Sequence, residues 1–174
     1  MKSNCDREVV IPVQHRSTIV TSSQEQLPVI GWRELVALPD LDILEIKAKI
    51  DTGARSSALH AFDIKTFQQD GKTMVRFQVH PYQRDNHRSA IAQAELYDQR
   101  QIRNSGGHAQ LRPVIQTIVK LGNYAFPIEL TLTNRDVMGF RMLLGREAIR
   151  RRFLVDAGRS FLQSVTGSKK RKQL

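Results

Sequence analysis

Residues 46–54 of the chain read Ile46-Lys47-Ala48-Lys49-Ile50-Asp51-Thr52-Gly53-Ala54. Apolar and charged side chains alternate as far as Ile50, and a period of two residues is typical of a strand with one buried face. Asp51, Thr52 and Gly53 follow at once, and these residue types are common in tight turns. The stretch therefore predicts a strand that ends in a turn carrying a carboxylate.

A carboxylate on a rigid turn is what peptide hydrolysis by paired aspartates requires. Two carboxyl groups about 3 Å apart cannot both ionise, so one acts as a base while the other keeps a proton to donate. Thr52 can hydrogen-bond to lock the turn, and Gly53 lets the backbone pass the carboxylate without a Cβ in the way. We predict Asp51, Thr52 and Gly53 as catalytic residues.

The chain contains one such turn, whereas the chemistry needs two carboxylates. The first hypothesis is a homodimer in which Asp51 of each copy lies near a two-fold axis. Two carboxylates of the same chain are the alternatives: Asp136, in a predicted turn, and Asp156, in Asp156-Ala157-Gly158.

A second pattern, Met142-Leu143-Leu144-Gly145-Arg146, predicts an apolar strand that ends in glycine and runs into a helix over residues 146–153. A second short helix is predicted at residues 33–37 or 57–61. Alternation predicts strands at four further places, namely residues 75–79, 90–97, 113–121 and 126–132. Short strands with one C-terminal helix indicate an all-β fold, a small closed barrel.

The chain divides into a body and two tails. Residues 1–27 are polar and lack sustained periodicity, so we predict an N-terminal tail, followed by one domain over residues 28–164. Residues 165–174 are predicted as a basic C-terminal tail. No apolar run reaches the roughly 18 residues of a membrane span, and Cys5 is the single cysteine, so we expect a cytoplasmic protein without a disulfide.

The net charge of +10 lies mostly on the body of the chain. Residues 1–27 are neutral overall, and Lys169-Lys170-Arg171-Lys172 supplies four of the positive charges. A basic surface favours an anionic partner, such as nucleic acid, the ribosome or an acidic peptide.

Residues from about 29 to 162 resemble the bacterial family of ATP-dependent zinc proteases, also described as RimK-associated retropepsin-like peptidases. The matching stretches are Ile30-Gly31-Trp32-Arg33-Glu34, Lys47–Arg55, Ser57–Ala61, Arg112–Ile115, Leu130–Asp136 and Gly139–Arg146. Members often accompany an ATP-grasp ligase that adds glutamates to proteins such as a ribosomal protein. The resemblance implies a retropepsin fold and a peptidase acting on glutamate-rich chains.

The retropepsin resemblance also implies substrate-binding residues. In retropepsins a hydrophobic-hydrophobic-Gly-Arg step packs beside the catalytic turn, and a hairpin flap closes over the substrate. The best flap candidate is Gln101–Pro113, whose glycine pair suits a mobile hairpin tip. The predicted substrate-binding residues, including arginines suited to anionic side chains, are Ala54, Arg55, Ser105, Gly106, Gly107, His108, Arg112 and Arg146. Arg103 is a further flap candidate.

The zinc in the family name conflicts with the pattern of histidines. A zinc peptidase usually has two histidines one helical turn apart in His-Glu-x-x-His, and this motif is absent. We therefore predict no metal ligands. The alternative is a site assembled in space from His60, His80 or His108 with Asp63. ATP dependence also lacks support, because the sequence has no Gly-x-x-x-x-Gly-Lys-Ser/Thr loop.

Three functions remain open from the sequence. The first is an aspartic endopeptidase that activates water between two Asp51 side chains. The second is a noncatalytic module that binds acidic peptides or a ribosomal partner. The third is a nucleic-acid binder using the basic body and tail, although no interleaved basic and aromatic platform is visible.

Overall fold

The computed structural model describes residues 26–81, 89–103, 109–134 and 139–164. Its elements are strands apart from one four-residue helix, α1 (Arg146–Ile149), and a 3-10 turn at Pro39–Leu41. The strands in chain order are β1 (Val29–Gly31), β2 (Arg33–Leu38), β3 (Ile43–Asp51), β4 (Ser57–His60), β5 (Phe62–Gln69), β6 (Lys72–Val79), β7 (Ala90–Glu95), β8 (Asp98–Arg103), β9 (Ala109–Leu121), β10 (Tyr124–Thr133), β11 (Met142–Gly145) and β12 (Leu154–Asp156). The predicted all-β class with one short helix is confirmed.

Six strands pair into a closed ring in the order β10-β4-β11-β3-β2-β9, which the β9–β10 hairpin completes. The β3–β11 and β4–β10 pairs are parallel, and the other pairs of the ring are antiparallel. Strand β8 continues this sheet outside the ring by pairing with β9. The parallel β3–β11 pair sets Gly145 opposite Asp51.

Two smaller sheets complete the domain. Strands β5, β6 and β7 form an antiparallel sheet whose inner side chains, such as Phe77, join the same hydrophobic core as the ring. Strands β1 and β12 form a parallel pair that joins the beginning of the described chain to its end. In β3 the alternation of the sequence is reproduced directly, since Ile46, Ala48 and Ile50 are buried.

The helical predictions need two corrections. Residues 33–37 lie in β2, and residues 57–60 form β4. Both strands have a strand partner on each side, so these residues are extended and not helical. The predicted helix over 146–153 ends at Ile149, since Arg150 leaves the helical conformation with φ −54° and ψ 137° and Arg151 has φ 62°.

The predicted domain limits at residues 28 and 164 stay predictions. Nearly all of the two predicted tails lies outside the described residues. Among the residues that are described, no helix is both long and apolar enough to cross a membrane.

Candidate active site

Asp51 is the last residue of β3, and its own turn fixes its carboxylate. Oδ1 accepts hydrogen bonds from the amides of Gly53, at 3.2 Å, and Ala54, at 3.0 Å. The side chain is half-buried, while Thr52 and Gly53 are exposed. Oδ1 is held by two amides, whereas Oδ2 has no hydrogen-bond partner in the described part of the chain.

The Gly145 step packs directly against the Asp51 turn. Its amide donates to the buried Ser57 Oγ at 3.1 Å, and a Cβ at residue 145 would lie 2.5 Å from the backbone of Ser56. The next two amides, of Arg146 and Glu147, donate to the carbonyls of residues 54 and 55 at 2.8 and 3.1 Å. The structure thus brings the Asp51 turn and the Gly145 step together, and only glycine fits at residue 145.

The intrachain roles expected for Thr52 and Gly53 are not observed. A Cβ at residue 53 would meet Asp51 Oδ1 at 3.5 Å, an ordinary contact, so close passage of the backbone does not demand glycine there. Within the described ranges, the Thr52 hydroxyl has no hydrogen-bond partner. The turn is instead held by Arg146, whose Nη1 donates to the carbonyls of Thr52, at 3.0 Å, and Gly53, at 3.5 Å.

The remaining predicted substrate-binding residues lie in different environments. Arg55 is exposed, with its Nε 3.7 Å from a carboxylate oxygen of Glu147. Arg112 is 6% exposed and lies within β9, so its guanidinium is enclosed by the protein. Strands β8 and β9 form the predicted hairpin and pair as far as Arg103 and Ala109. The tip residues Ser105, Gly106, Gly107 and His108 lie outside the described residues, so their role stays a prediction.

A second turn repeats the geometry of the first. Asp156 ends β12, and its Oδ1 accepts hydrogen bonds from the amides of Gly158, at 2.8 Å, and Arg159, at 3.2 Å. Arg159 Nε also donates to Oδ2 at 2.6 Å, and this hydrogen-bonded ion pair lowers the pKa of the Asp156 carboxyl. The other intrachain candidate, Asp136, lies outside the described residues.

The described residues do not fit a zinc site. They contain no group of three His, Cys, Asp or Glu side chains that could hold a metal ion. The ring of Phe62 lies beside both His60 and His80, and Asp63 Oδ2 accepts a hydrogen bond from Gln78 at 2.9 Å. The fourth residue of that alternative, His108, is not described.

An open cleft of about 540 Å³ lies away from the Asp51 turn. It is lined by residues of β2, β3, β9 and the β9–β10 turn together with Ser164, and by none of residues 51–55. Ser57 is a further residue of the site, and the sequence pattern does not single it out because its partner is 88 residues away.

Comparisons with known proteins agree with this geometry. A family model described as "RimB-like: Retropepsin-like aspartic endopeptidase RimB" matches residues 29–166. A probable alpha-L-glutamate ligase of Desulfotalea psychrophila is 48% identical over 128 residues, which are 74% of this chain and 28% of that protein. A protein of the same name from Shewanella pealeana is 42% identical over 146 residues, 84% of this chain and 32% of that protein. The chain thus spans about three tenths of the length of these relatives.

A solved structure shares the fold. The Legionella pneumophila protein Lpg0085, described as of unknown function, matches with a TM-score of 0.65 and 30% identity over 78% of this chain and 98% of its own. None of these names mentions a zinc protease, so that part of the expected family name gains no support. The Asp51 turn, the β8–β9 hairpin and the Gly145 step all fall within residues 29–166, and the chain belongs to the RimB-like family of retropepsin-like aspartic endopeptidases.

Proposed function

We propose that this protein is an aspartic endopeptidase that hydrolyses peptide bonds in glutamate-rich chains. The observation that carries the proposal is the Asp51 turn. Two backbone amides hold Oδ1, no described residue bonds to Oδ2, and Gly145 packs against the backbone of the loop that follows. A carboxylate held on a rigid turn is preorganised for proton transfer.

In the proposed reaction, two such carboxyl groups share one proton. The ionised carboxylate takes a proton from water as the water oxygen attacks the carbonyl carbon, and the protonated carboxyl donates its proton to the carbonyl oxygen. Collapse of the tetrahedral intermediate then breaks the C–N bond, and a proton passes to the leaving nitrogen. This exchange needs an unoccupied carboxylate oxygen, and no described residue bonds to Asp51 Oδ2.

A homodimer is the source of the second carboxylate in this proposal. Asp156 is a poor base, because Arg159 occupies its Oδ2. Thr52 and Gly53 are exposed and lack the intrachain roles expected of them, which leaves this side of the turn available to a second copy. A two-fold axis beside the turn would bring the two Asp51 side chains together.

The proposed substrate is an acidic chain. The net charge of +10 favours anionic partners. The relatives named probable alpha-L-glutamate ligase contain a region similar to this chain, which suggests that the two activities serve the same glutamate-containing product. We therefore propose a functional link to a ligase that builds such chains, for example on a ribosomal protein, in the cytoplasm.

A noncatalytic module that binds acidic peptides is the second candidate, because the described residues of a single chain contain one Asp turn with an available carboxylate. A cleavage assay separates the two. Wild type, Asp51→Asn and the control Asp63→Asn are incubated with poly-glutamate and with a neutral polypeptide, each with and without a chelator.

We expect wild type and Asp63→Asn to cleave poly-glutamate with or without the chelator, and Asp51→Asn to be slower by roughly 10³-fold or more. Cleavage that survives Asp51→Asn but stops with the chelator would contradict the proposal. Binding of poly-glutamate without any cleavage would favour the module.

A further inference from the structure

Two lysines share a sheet face with Asp51. Along β3 the side chains of Ile46, Ala48 and Ile50 are buried, so those of Lys47, Lys49 and Asp51 point to the opposite, outer side. Successive residues on one face of a strand are about 6.6 Å apart. Lys49 therefore lies next to the Asp51 turn, and Lys47 one step further along the same line.

A third cation lies directly across from Lys49. Arg33 on β2 is its antiparallel partner, while Leu143 of β11 flanks Lys49 on its other side. The Arg33 guanidinium is held in place, with its centre 4.5 Å from the ring of Trp32 and 5.2 Å from that of Phe161, and its Nε donates to Ser160 Oγ at 3.1 Å.

Lys47 belongs to the same group. Its Nζ lies 6.0 Å from the Phe161 ring, which also contacts Arg33. We refer to Arg33, Lys47 and Lys49 as the cationic cluster. Across the part of the chain that the structure describes, none of the three forms an ion pair with a carboxylate.

Five other cations of the described residues are neutralised locally. Ion pairs with Asp or Glu at 3.7 Å or less hold Arg55, Lys72, Arg100, Arg150 and Arg159. Like charges facing each other across a strand pair destabilise a sheet. An unneutralised cluster that begins next to the reactive carboxylate therefore attracts an anion to the reaction site.

We propose that the cationic cluster is a substrate subsite, in which Lys49 and its neighbours bind the side-chain carboxylates of glutamates flanking the scissile bond. This inference rests on the proposed peptidase function and names its specificity residues. An extended peptide repeats its side chains on one face every two residues, which is also the spacing of Lys47, Lys49 and Asp51. Alternate glutamates on one side of the scissile bond would then have the same spacing as the two lysines.

Binding and turnover are measured separately so that the two proposals can fail independently. Binding of a fluorescent oligo-glutamate peptide is measured with the Asp51→Asn protein, alone and combined with Lys49→Glu or Lys65→Glu. Lys65 is a matched control, because it is an exposed strand lysine that also faces a cation, Arg76, across its sheet. Turnover of poly-glutamate is measured with the same lysine substitutions on an intact Asp51.

We expect Lys49→Glu to weaken peptide binding and to lower kcat/KM by about tenfold, and Lys65→Glu to change each by about twofold or less. Added salt should reduce binding more steeply with Lys49 present. Equal effects of the two substitutions would overturn the subsite. Loss of binding in Lys49→Glu, with no cleavage by any variant, would support the subsite while refuting the peptidase.

A nucleic-acid competitor gives the remaining outcome. If oligo-deoxythymidine binds the Asp51→Asn protein more tightly than oligo-glutamate does, and Lys49→Glu abolishes that binding, the cluster is a nucleic-acid site and the proposal is wrong. Weak binding of oligo-deoxythymidine that Lys49→Glu and Lys65→Glu reduce alike would be general charge attraction, and would contradict a nucleic-acid site at the cluster.

Discussion

The Asp51 turn and the Asp156 turn have the same backbone construction. Each Asp ends a strand, accepts hydrogen bonds from the second and third amides after it, and lies opposite a glycine of a parallel strand, Gly145 or Gly31. The residue after each glycine donates its amide to the third carbonyl beyond the Asp, at 2.8 and 2.9 Å. The chain therefore builds this turn twice.

The two turns differ chemically at the third residue after the Asp. At that position the second turn has Arg159, which closes an ion pair onto Oδ2, whereas the first has Ala54, which cannot. The fold thus supplies two equivalent carboxylate turns, and one side chain decides which carboxylate remains available. The comparison predicts that exchanging this residue should exchange the chemical state of the turns.

Among the variants that test the difference between the two turns, Ala54→Arg has the largest expected effect. An arginine at residue 54 should pair with Asp51 Oδ2 as Arg159 does with Asp156, leaving the base unable to accept a proton from water. We expect a roughly 100-fold or larger loss of kcat on poly-glutamate. Ala54→Gln, of similar length but uncharged, is the control.

The difference in activity between Ala54→Arg and Ala54→Gln tests whether the two turns are equivalent. Activity in Ala54→Arg that matches Ala54→Gln would show that the two turns are not equivalent in their side-chain geometry. A crystal structure of Ala54→Arg with the guanidinium on Asp51 Oδ2 would confirm the mechanism of inhibition directly.

The next largest effect is a loss of stability when the glycine opposite each turn is replaced. A Cβ at residue 145 or at residue 31 would lie 2.5 Å from backbone atoms, so Gly145→Ala and Gly31→Ala should each lower the free energy of unfolding by about 3 kcal/mol. Gly53→Ala should change it by about 0.5 kcal/mol or less, because its Cβ has room. Chemical denaturation measures all three.

The same series also examines the dimer. If Gly53→Ala keeps the stability of the fold yet loses activity or self-association, the space beside residue 53 is used by a second copy. Full activity with unchanged association would argue against a two-fold axis at this turn. Sedimentation of wild type and Gly53→Ala at matched concentrations provides the measurement.

The sequence predicts those features of the site that depend on local patterning. The alternation before Asp51 and the apolar run before Gly145 place both residues at strand ends, where the structure has them. In β2 the alternation of apolar and polar residues does not predict burial correctly. The carboxyl group of Glu34 is completely buried, where it accepts hydrogen bonds from the amides of Gly31 and Leu162, at 2.7 and 2.8 Å. From the sequence alone a glutamate is expected to be exposed, and an exposed residue at this position is compatible with a helix at residues 33–37.

Tertiary contacts account for the other differences. The Ser57 hydroxyl accepts a hydrogen bond from the Gly145 amide, 88 residues away, and Arg112 is buried although an arginine on a predicted flap is expected to face the substrate. The equivalence of the two turns is also a tertiary property. Asp156-Ala157-Gly158 matches Asp51-Thr52-Gly53 at two positions, but the parallel glycine strands that unite them are distant in sequence.

The smallest expected effect is the pH dependence that Arg159 gives to the second turn. The folded-state pKa of Asp156 is lowered by its hydrogen bond and ion pair with Arg159, so this pairing stabilises the fold fully above the unfolded carboxyl pKa of about 3.9. Its contribution is lost as the pH falls through the lowered folded pKa. The Tm of wild type should fall between neutral pH and the range below about pH 4, and this fall should be smaller in Arg159→Gln. The Tm values of the two proteins should therefore differ less below about pH 4 than at neutral pH. A fall of equal size in both proteins would mean that Arg159 does not hold the Asp156 carboxylate in solution, and the chemical distinction between the two turns would then need another cause.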